Sequence, residues 1–241
     1  MQIALLNCDR VDSQLVEEFG EYPDMFKQHL LAQDSKLQFD VFDVLNNELP
    51  KLNQFDGFLI TGSRHNAYDQ QPWILQLVSW VQQCEQLQRP LAGICFGHQI
   101  IARALGGKVE KSAKGWGLGV AANNLLQKPS WVSPSLEDED TAKAEPFRIL
   151  VSHQDQVTQL PPQAELLASS DFCPNFMYQI DQHILAIQGH PEFAPDYAAA
   201  LIDKRQMILS PTQFVLAKTS LKRPLNADSV FDWIVQMYKL Q

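Results

Sequence analysis

The chain places a cysteine between two glycines in the stretch Gly93-Ile94-Cys95-Phe96-Gly97, directly after an apolar run and just ahead of a helix-like one. Glycines two places either side of a central residue suit a sharp strand-to-helix turn, because larger side chains collide there. A helix that starts immediately after Cys95 aims its N–H groups and the positive end of its dipole at the sulfur, which favours thiolate over thiol. That matters because an unperturbed thiol, with a pKa of about 8.5, is only slightly ionised at neutral pH. The same pattern equally suits a small buried cysteine with packing glycines, so its partners decide.

Candidate partners lie at "QGHPEF" (188–193), where an apolar run leads into His190, Pro191 and Glu192. Residues two apart on an extended segment face the same side, so His190 and Glu192 can share one site. There His190 could take the thiol proton and return it to a leaving amine, with Glu192 orienting the imidazole. A third piece is "LITGSRHNAYD" (59–69), where a strand ending in Thr-Gly-Ser leaves the N–H groups of Gly62 and Ser63 free. With the N–H of Phe96 they could form an oxyanion hole, worth roughly 10² to 10³ in rate per donor. Taken singly, each piece also reads as an ordinary strand exit.

These pieces need a scaffold that brings strand ends together. Short apolar runs at 3–8, 39–44, 56–62, 90–95, 147–152 and 183–189 read as buried strands. Between Pro72 and Gln88, Trp73, Leu77, Trp80, Val81, Cys84 and Leu87 recur near a 3.6-residue period, with Pro72 suited to a first helical turn. "HQIIARAL" after Cys95 stops at Gly106-Gly107, a natural helix end. Strands alternating with helices predict an α/β fold with an open, mainly parallel sheet and helices on both faces, whose ligands bind at the strands' carboxyl ends. The stretch from 115 to about 181 is poorer in helix and predicts an antiparallel extension of the same sheet. The expected organisation is one domain over 1–241 with a C-terminal helical extension from about 210, ending in a helix over 228–240.

Composition narrows the function. A formal charge of −9 argues against a surface that tracks nucleic-acid phosphates, and no basic stripe appears. The acidic run "LEDED" (136–140), between Pro129, Pro134 and Pro146, is expected to be a solvated loop. Four cysteines at 8, 84, 95 and 173 include no CxxC pair, and six histidines form no HxH or HExxH unit, so neither a disulfide framework nor a metal site is expected. No stretch reaches the roughly 18 to 20 apolar residues of a membrane span, and "MQIALLNCDR" lacks the marks of a signal peptide. The expectation is a cytoplasmic protein with no membrane or nucleic-acid partner.

"GICFGHQ", followed about a hundred residues later by "HPE" and preceded by a glycine-containing turn, resembles the class I glutamine amidotransferases. "GSRHNAYDQQPWI" and "QGHPEF" look closest to the stand-alone, GMP-synthase-like members. The resemblance spans roughly residues 40 to 205 and implies the flavodoxin-like fold of that family and a Cys-His-Glu triad of Cys95, His190 and Glu192. It implies that Cys95 attacks the side-chain amide of glutamine, that His190 protonates the departing ammonia, and that water resolves a γ-glutamyl thioester, with no cofactor. By the same resemblance Gln99 contacts bound glutamine, backbone groups around Ser152 and His153 hold its amino-acid end, and "GWGLG" (115–119) forms the loop at the mouth of the site. The implied partners are a small γ-glutamyl substrate and, for an amidotransferase, a synthetase subunit that accepts ammonia. Three departures stand out. No GxxxxGK[ST] or SGGxDS pattern of an ATP pyrophosphatase is present, "TGS" replaces the family's "GGP" or "GPG" turn, and Gly189 stands where many members carry a larger residue. The last would widen the pocket, so a stand-alone γ-glutamyl peptidase is the alternative activity, and a weakly active binding or regulatory module is the alternative class.

Overall fold

The computed structural model describes residues 1–132 and 145–240, so the acidic run 136–140 lies outside the described residues. In chain order the elements are β1 (Gln2–Asn7), α1 (Val16–Phe19), α2 (Tyr22–Gln33), β2 (Gln38–Asp43), β3 (Gly57–Ile60) and α3 (Pro72–Gln86). Then follow β4 (Leu91–Ile94), α4 (Phe96–Ala104), β5 (Lys108–Lys111), β6 (Gly117–Leu125), β7 (Phe147–His153) and β8 (Asp155–Gln159). The chain continues through β9 (Ala164–Ser169), β10 (Met177–Ile180), β11 (Ile184–Ile187), α5 (Pro195–Lys204), α6 (Pro211–Ser220) and α7 (Ala227–Tyr238).

Side chains of β1 alternate between two cores, as the pleat requires. Ile3 and Leu5 pack with Phe26 and Leu30 of α2 and with Val230, Phe231 and Ile234 of α7. Ala4 and Leu6 pack on the opposite face with Ile74 and Leu77 of α3 and with Ile100 and Ile101 of α4. Burying each such large aliphatic or aromatic side chain contributes about 1.5–3 kcal/mol. Having both faces covered explains why β1, β3, β4 and β11 read as continuous apolar runs rather than alternating ones.

The main sheet has nine strands in the order β2-β1-β3-β4-β11-β10-β9-β6-β7. Pairing is parallel from β2 to β11 and antiparallel from β11 outward to β7. This is the expected α/β architecture: a parallel portion covered by helices on both faces, extended by antiparallel strands. One part of the middle stretch departs from expectation. β8 does not join the main sheet but pairs with β5 in a separate antiparallel ladder.

The parallel pairing also fixes the position of the chemistry. β3, β4 and β11 are neighbours with their carboxyl ends at one edge, so the segments that follow them, starting at Thr61, Cys95 and Gln188, meet there. Among the described residues no helix is long and apolar enough to cross a membrane.

Candidate active site

Cys95 occupies the junction between β4 and α4 with φ of 52° and ψ of −96°. Such a backbone, sparsely populated for a non-glycine residue, costs about 1–3 kcal/mol and persists only where its surroundings hold it. Two things hold it here. The Cys95 N–H donates to the Ile187 carbonyl at 2.8 Å, tying the turn to β11, and the Gln99 N–H donates to the Cys95 carbonyl at 3.1 Å, starting α4. The flanking glycines let the backbones approach: a Cβ at Gly97 would lie 2.5 Å from the Ile60 carbonyl oxygen, and one at Gly93 would lie 2.8 Å from the Gly97 carbonyl.

His190 follows β11, and its N–H donates to the Leu150 carbonyl at 2.7 Å. Its Nδ1 lies 2.7 Å from Glu192 Oε1, and the imidazole stands beside the Cys95 sulfur. Cys95, His190 and Glu192 are 5%, 6% and 2% exposed. Phe193 stacks on the His190 ring with centroids 4.0 Å apart and planes 6° apart. Burial alone pushes the His190 pKa down, but the adjacent Cys95 sulfur and Glu192 carboxylate outweigh it and hold the pKa up at about 10. The imidazole is therefore protonated at neutral pH.

The turn after β3 closes over the same point. A Cβ at Gly62 would lie 2.8 Å from His190 Cε1 and 3.7 Å from Cys95 Cβ. Among the described residues, the N–H groups of Gly62 and Ser63 donate to no backbone carbonyl, and Phe96, the first residue of α4, has no intrahelical acceptor for its own. Arg64 anchors this loop by donating from its backbone N–H and its Nε to Asp9, at 2.7 and 2.9 Å.

Gln99, Ser152 and His153 line the same cavity, of about 560 Å³. Gln99 is more committed to the protein than the resemblance implies, since its Nε2 donates to the Asp155 carbonyl at 3.0 Å and to Gln188 Oε1 at 3.1 Å. The Ser152 hydroxyl oxygen is buried without a partner among the described residues. His153 donates from Nδ1 to the Asp155 carbonyl at 3.0 Å, and burial together with the His190 charge brings its pKa down to about 4. It is thus a neutral imidazole at the cavity wall. Within "GWGLG", Trp116 lines the cavity, whereas Gly117, Leu118 and Gly119 already belong to β6.

Two features differ from what the sequence implies. Gly189 does not widen the pocket: the space a side chain would take is filled by Ile149 Cγ2 at 2.5 Å and Phe176 Cζ at 2.9 Å, both in the apolar core. Gln188, which no motif singles out, is fully buried and donates from Nε2 to Cys95 Sγ at 3.5 Å. Gln188 opens the same "QGHPEF" run as His190 and Glu192, but that run bends and turns after β11 instead of staying extended, so two-residue alternation does not account for its place.

The chain is similar to several known proteins. Gamma-glutamyl peptidase 2 of Arabidopsis thaliana is 32% identical over 221 residues, covering 88% of this chain and 85% of that protein. A subunit of the glutamine-hydrolysing GMP synthase of Pyrococcus furiosus is 36% identical over 113 residues, covering 46% of this chain and 54% of that protein. A glutamine amidotransferase from Methylobacillus flagellatus has the same fold, with a TM-score of 0.71 at 20% identity over 99% of this chain and 92% of that one. Residues 19–207, from the end of α1 past the end of α5, match the family described as Glutamine amidotransferase class-I, to which the chain belongs.

Proposed function

We propose that the protein is a cysteine hydrolase of γ-glutamyl amides, with γ-glutamyl peptides or conjugates favoured over glutamine. The observation that carries this reading is the buried chain of contacts from Cys95 to His190 to Glu192 at a strained strand-to-helix turn. A protonated imidazole beside the sulfur is the electrostatic partner a thiolate needs. Cys95 Sγ attacks the γ-carbonyl carbon, and the resulting oxyanion is met by the N–H groups of Phe96 and of Gly62 or Ser63. His190 then gives its proton to the leaving nitrogen as the C–N bond breaks, leaving a γ-glutamyl thioester on Cys95. Water, deprotonated by His190, attacks the thioester, releases glutamate and restores the pair of Cys95 thiolate and protonated His190. Glu192 holds the imidazole in orientation and supports its charge. Gln99, Ser152 and His153 form the wall that takes the amino-acid end of the γ-glutamyl group.

Two observations favour peptides as substrates. The likeness to a γ-glutamyl peptidase extends over most of the chain. The cavity of about 560 Å³ also falls in the range of roughly 300–1,000 Å³ that encloses drug-sized ligands, more than one amino acid fills. A second reading rests on the shorter likeness to one subunit of a GMP synthase, and it is ammonia supply to a separate synthetase subunit. Glutaminase activity that is low alone and rises when an ATP-dependent synthetase is added would favour that reading.

The test is glutamate release from a panel of γ-glutamyl amides, with mass spectrometry of the protein after exposure to a diazo-ketone analogue of glutamine. Wild type is expected to turn over at least one γ-glutamyl peptide and to carry the adduct on Cys95. Cys95→Ala is expected to lose both, with turnover down more than about 10³-fold. Equal turnover by the two proteins would sink the mechanism.

A further inference from the structure

The cavity runs across the carboxyl edge of the sheet, from the α3/α4 face to the face covered by α2 and α5. On the first side stand Gln99 of α4 and Tyr68, next to the core that holds Ala67 and Phe96. On the other stand Tyr22, Phe193 and Tyr197, which form a separate aromatic cluster. His190 is stacked on Phe193, and the Tyr197 hydroxyl donates to the Tyr22 hydroxyl at 3.1 Å. A leaving group that takes its proton from His190 departs past this second, aromatic side.

Arg205, directly after α5, closes that side. Its Nη1 donates to the Leu201 carbonyl at 3.0 Å, and its guanidinium carbon sits 4.6 Å from the centroid of the Trp116 ring. The two contacts fix the guanidinium in place and leave most of its donors for another partner. Every other cation of the cavity wall has a carboxylate in view. Arg64 binds Asp9, Lys204 binds Asp12 at 2.7 Å, and Lys111 stands opposite Asp155 across the β5–β8 ladder. Among the described residues Arg205 has no carboxylate partner, and the titratable groups near it are Tyr22, Tyr197 and Cys95. Burial pushes the pKa of both tyrosines up, so they face the guanidinium as neutral phenols. The Cys95 sulfur is already paired with the protonated His190, so a half-buried guanidinium with no carboxylate of its own is costly, and an anionic occupant offsets that cost.

We propose that Arg205, braced on Trp116, is the receptor for a carboxylate on the leaving group, so that the preferred substrates are γ-glutamyl amino acids or peptides with a free C-terminal carboxylate. The proposal rests on the γ-glutamyl hydrolase reading and deepens it. Glutamine, whose leaving group is ammonia, cannot use this contact. The planar guanidinium matches a carboxylate in a two-bond fork that a lysine in its place does not reproduce.

The test compares kcat/KM for γ-glutamylglycine and γ-glutamylglycinamide, which differ only at the group that Arg205 would meet. Wild type is expected to prefer the acid by about 10- to 100-fold, the value of a hydrogen-bonded charge. In Arg205→Met the ratio is expected to fall to about 1, and Arg205→Lys should keep part of the preference. A merely structural role for Arg205 would lower both substrates together and leave the ratio intact, and that result would overturn the proposal. So would a wild-type ratio near 1. The same two peptides are titrated calorimetrically into Cys95→Ala, where no turnover is needed. Loss of turnover on both peptides with tighter binding of the acid would count against the hydrolase reading and for Arg205, whereas turnover without acid preference would do the reverse.

Discussion

The Glu192 carboxylate has one oxygen on His190 Nδ1 and the other buried without a partner among the described residues. Its negative charge is therefore directed at the imidazole, and it is one of the causes that hold the His190 pKa at about 10. Glu192→Gln keeps the shape and removes the charge, so the His190 pKa falls. If protonated His190 is the acid that releases the amine, activity is lost as pH rises through that pKa. The alkaline limb of the pH–rate profile is then expected to move to lower pH in Glu192→Gln, with kcat/KM down about 10²- to 10⁴-fold. Full pH profiles of both proteins check this, and an unmoved alkaline limb would count against the role of Glu192. At this scale the sequence was informative where chemistry and spacing coincide, as at Cys95, His190 and Glu192. It was silent where the partner comes from distant chain: Arg205 meets Trp116, and Arg64 meets Asp9, only through the fold.

At the scale of elements, the β4–α4 turn depends on backbone approach more than on any side chain. A Cβ at Gly97 would lie 2.5 Å from the Ile60 carbonyl oxygen and 3.0 Å from the Ile60 Cβ. The first contact is backbone of a central strand, so α4 has to move away from β3 rather than a side chain rotate. Gly97→Ala is therefore expected to destabilise by about 1–3 kcal/mol and, because α4 carries Phe96 and Gln99, to slow alkylation of Cys95. Urea denaturation and the rate of iodoacetamide labelling measure the two effects, and an alanine variant with wild-type values in both would refute the close approach. The strands flanking this turn were legible because burial on both faces leaves unbroken apolar runs. α6 lies within the helical extension expected from about 210, but its own bounds are not legible, because it buries only Ala217 and exposes Val215 and Leu216, so no apolar stripe marks its period. β8 was missed as a separate ladder because its short, polar sequence "DQVTQ" says nothing of its partner, β5.

For the molecule as a whole, the most telling titrations are those of two buried neutral histidines. His98 lies inside α4, donates from Nε2 to the Asn175 carbonyl at 3.0 Å, and packs its ring 4.9 Å from that of Tyr178. Its Nδ1 has no partner among the described residues. Burial brings its pKa down to about 3, with the nearby His153 adding to the shift, and His153 itself is brought down to about 4. In the unfolded chain both titrate near about 6.5. Below that pH the unfolded state binds protons that the folded state refuses, so stability falls as pH drops from about 6.5 toward 4, by up to about 1.4 kcal/mol per pH unit for each histidine. Most carboxylates titrate lower, which makes pH 5 to 6.5 the window where the histidine contribution stands out. His98→Gln can keep a donor to the Asn175 carbonyl and cannot titrate. Urea denaturation across this window is expected to show a shallower loss of stability on acidification in His98→Gln than in wild type, even if the variant is less stable at pH 7. Parallel curves would show that His98 is not one of the groups whose protonation unfolds the protein in acid.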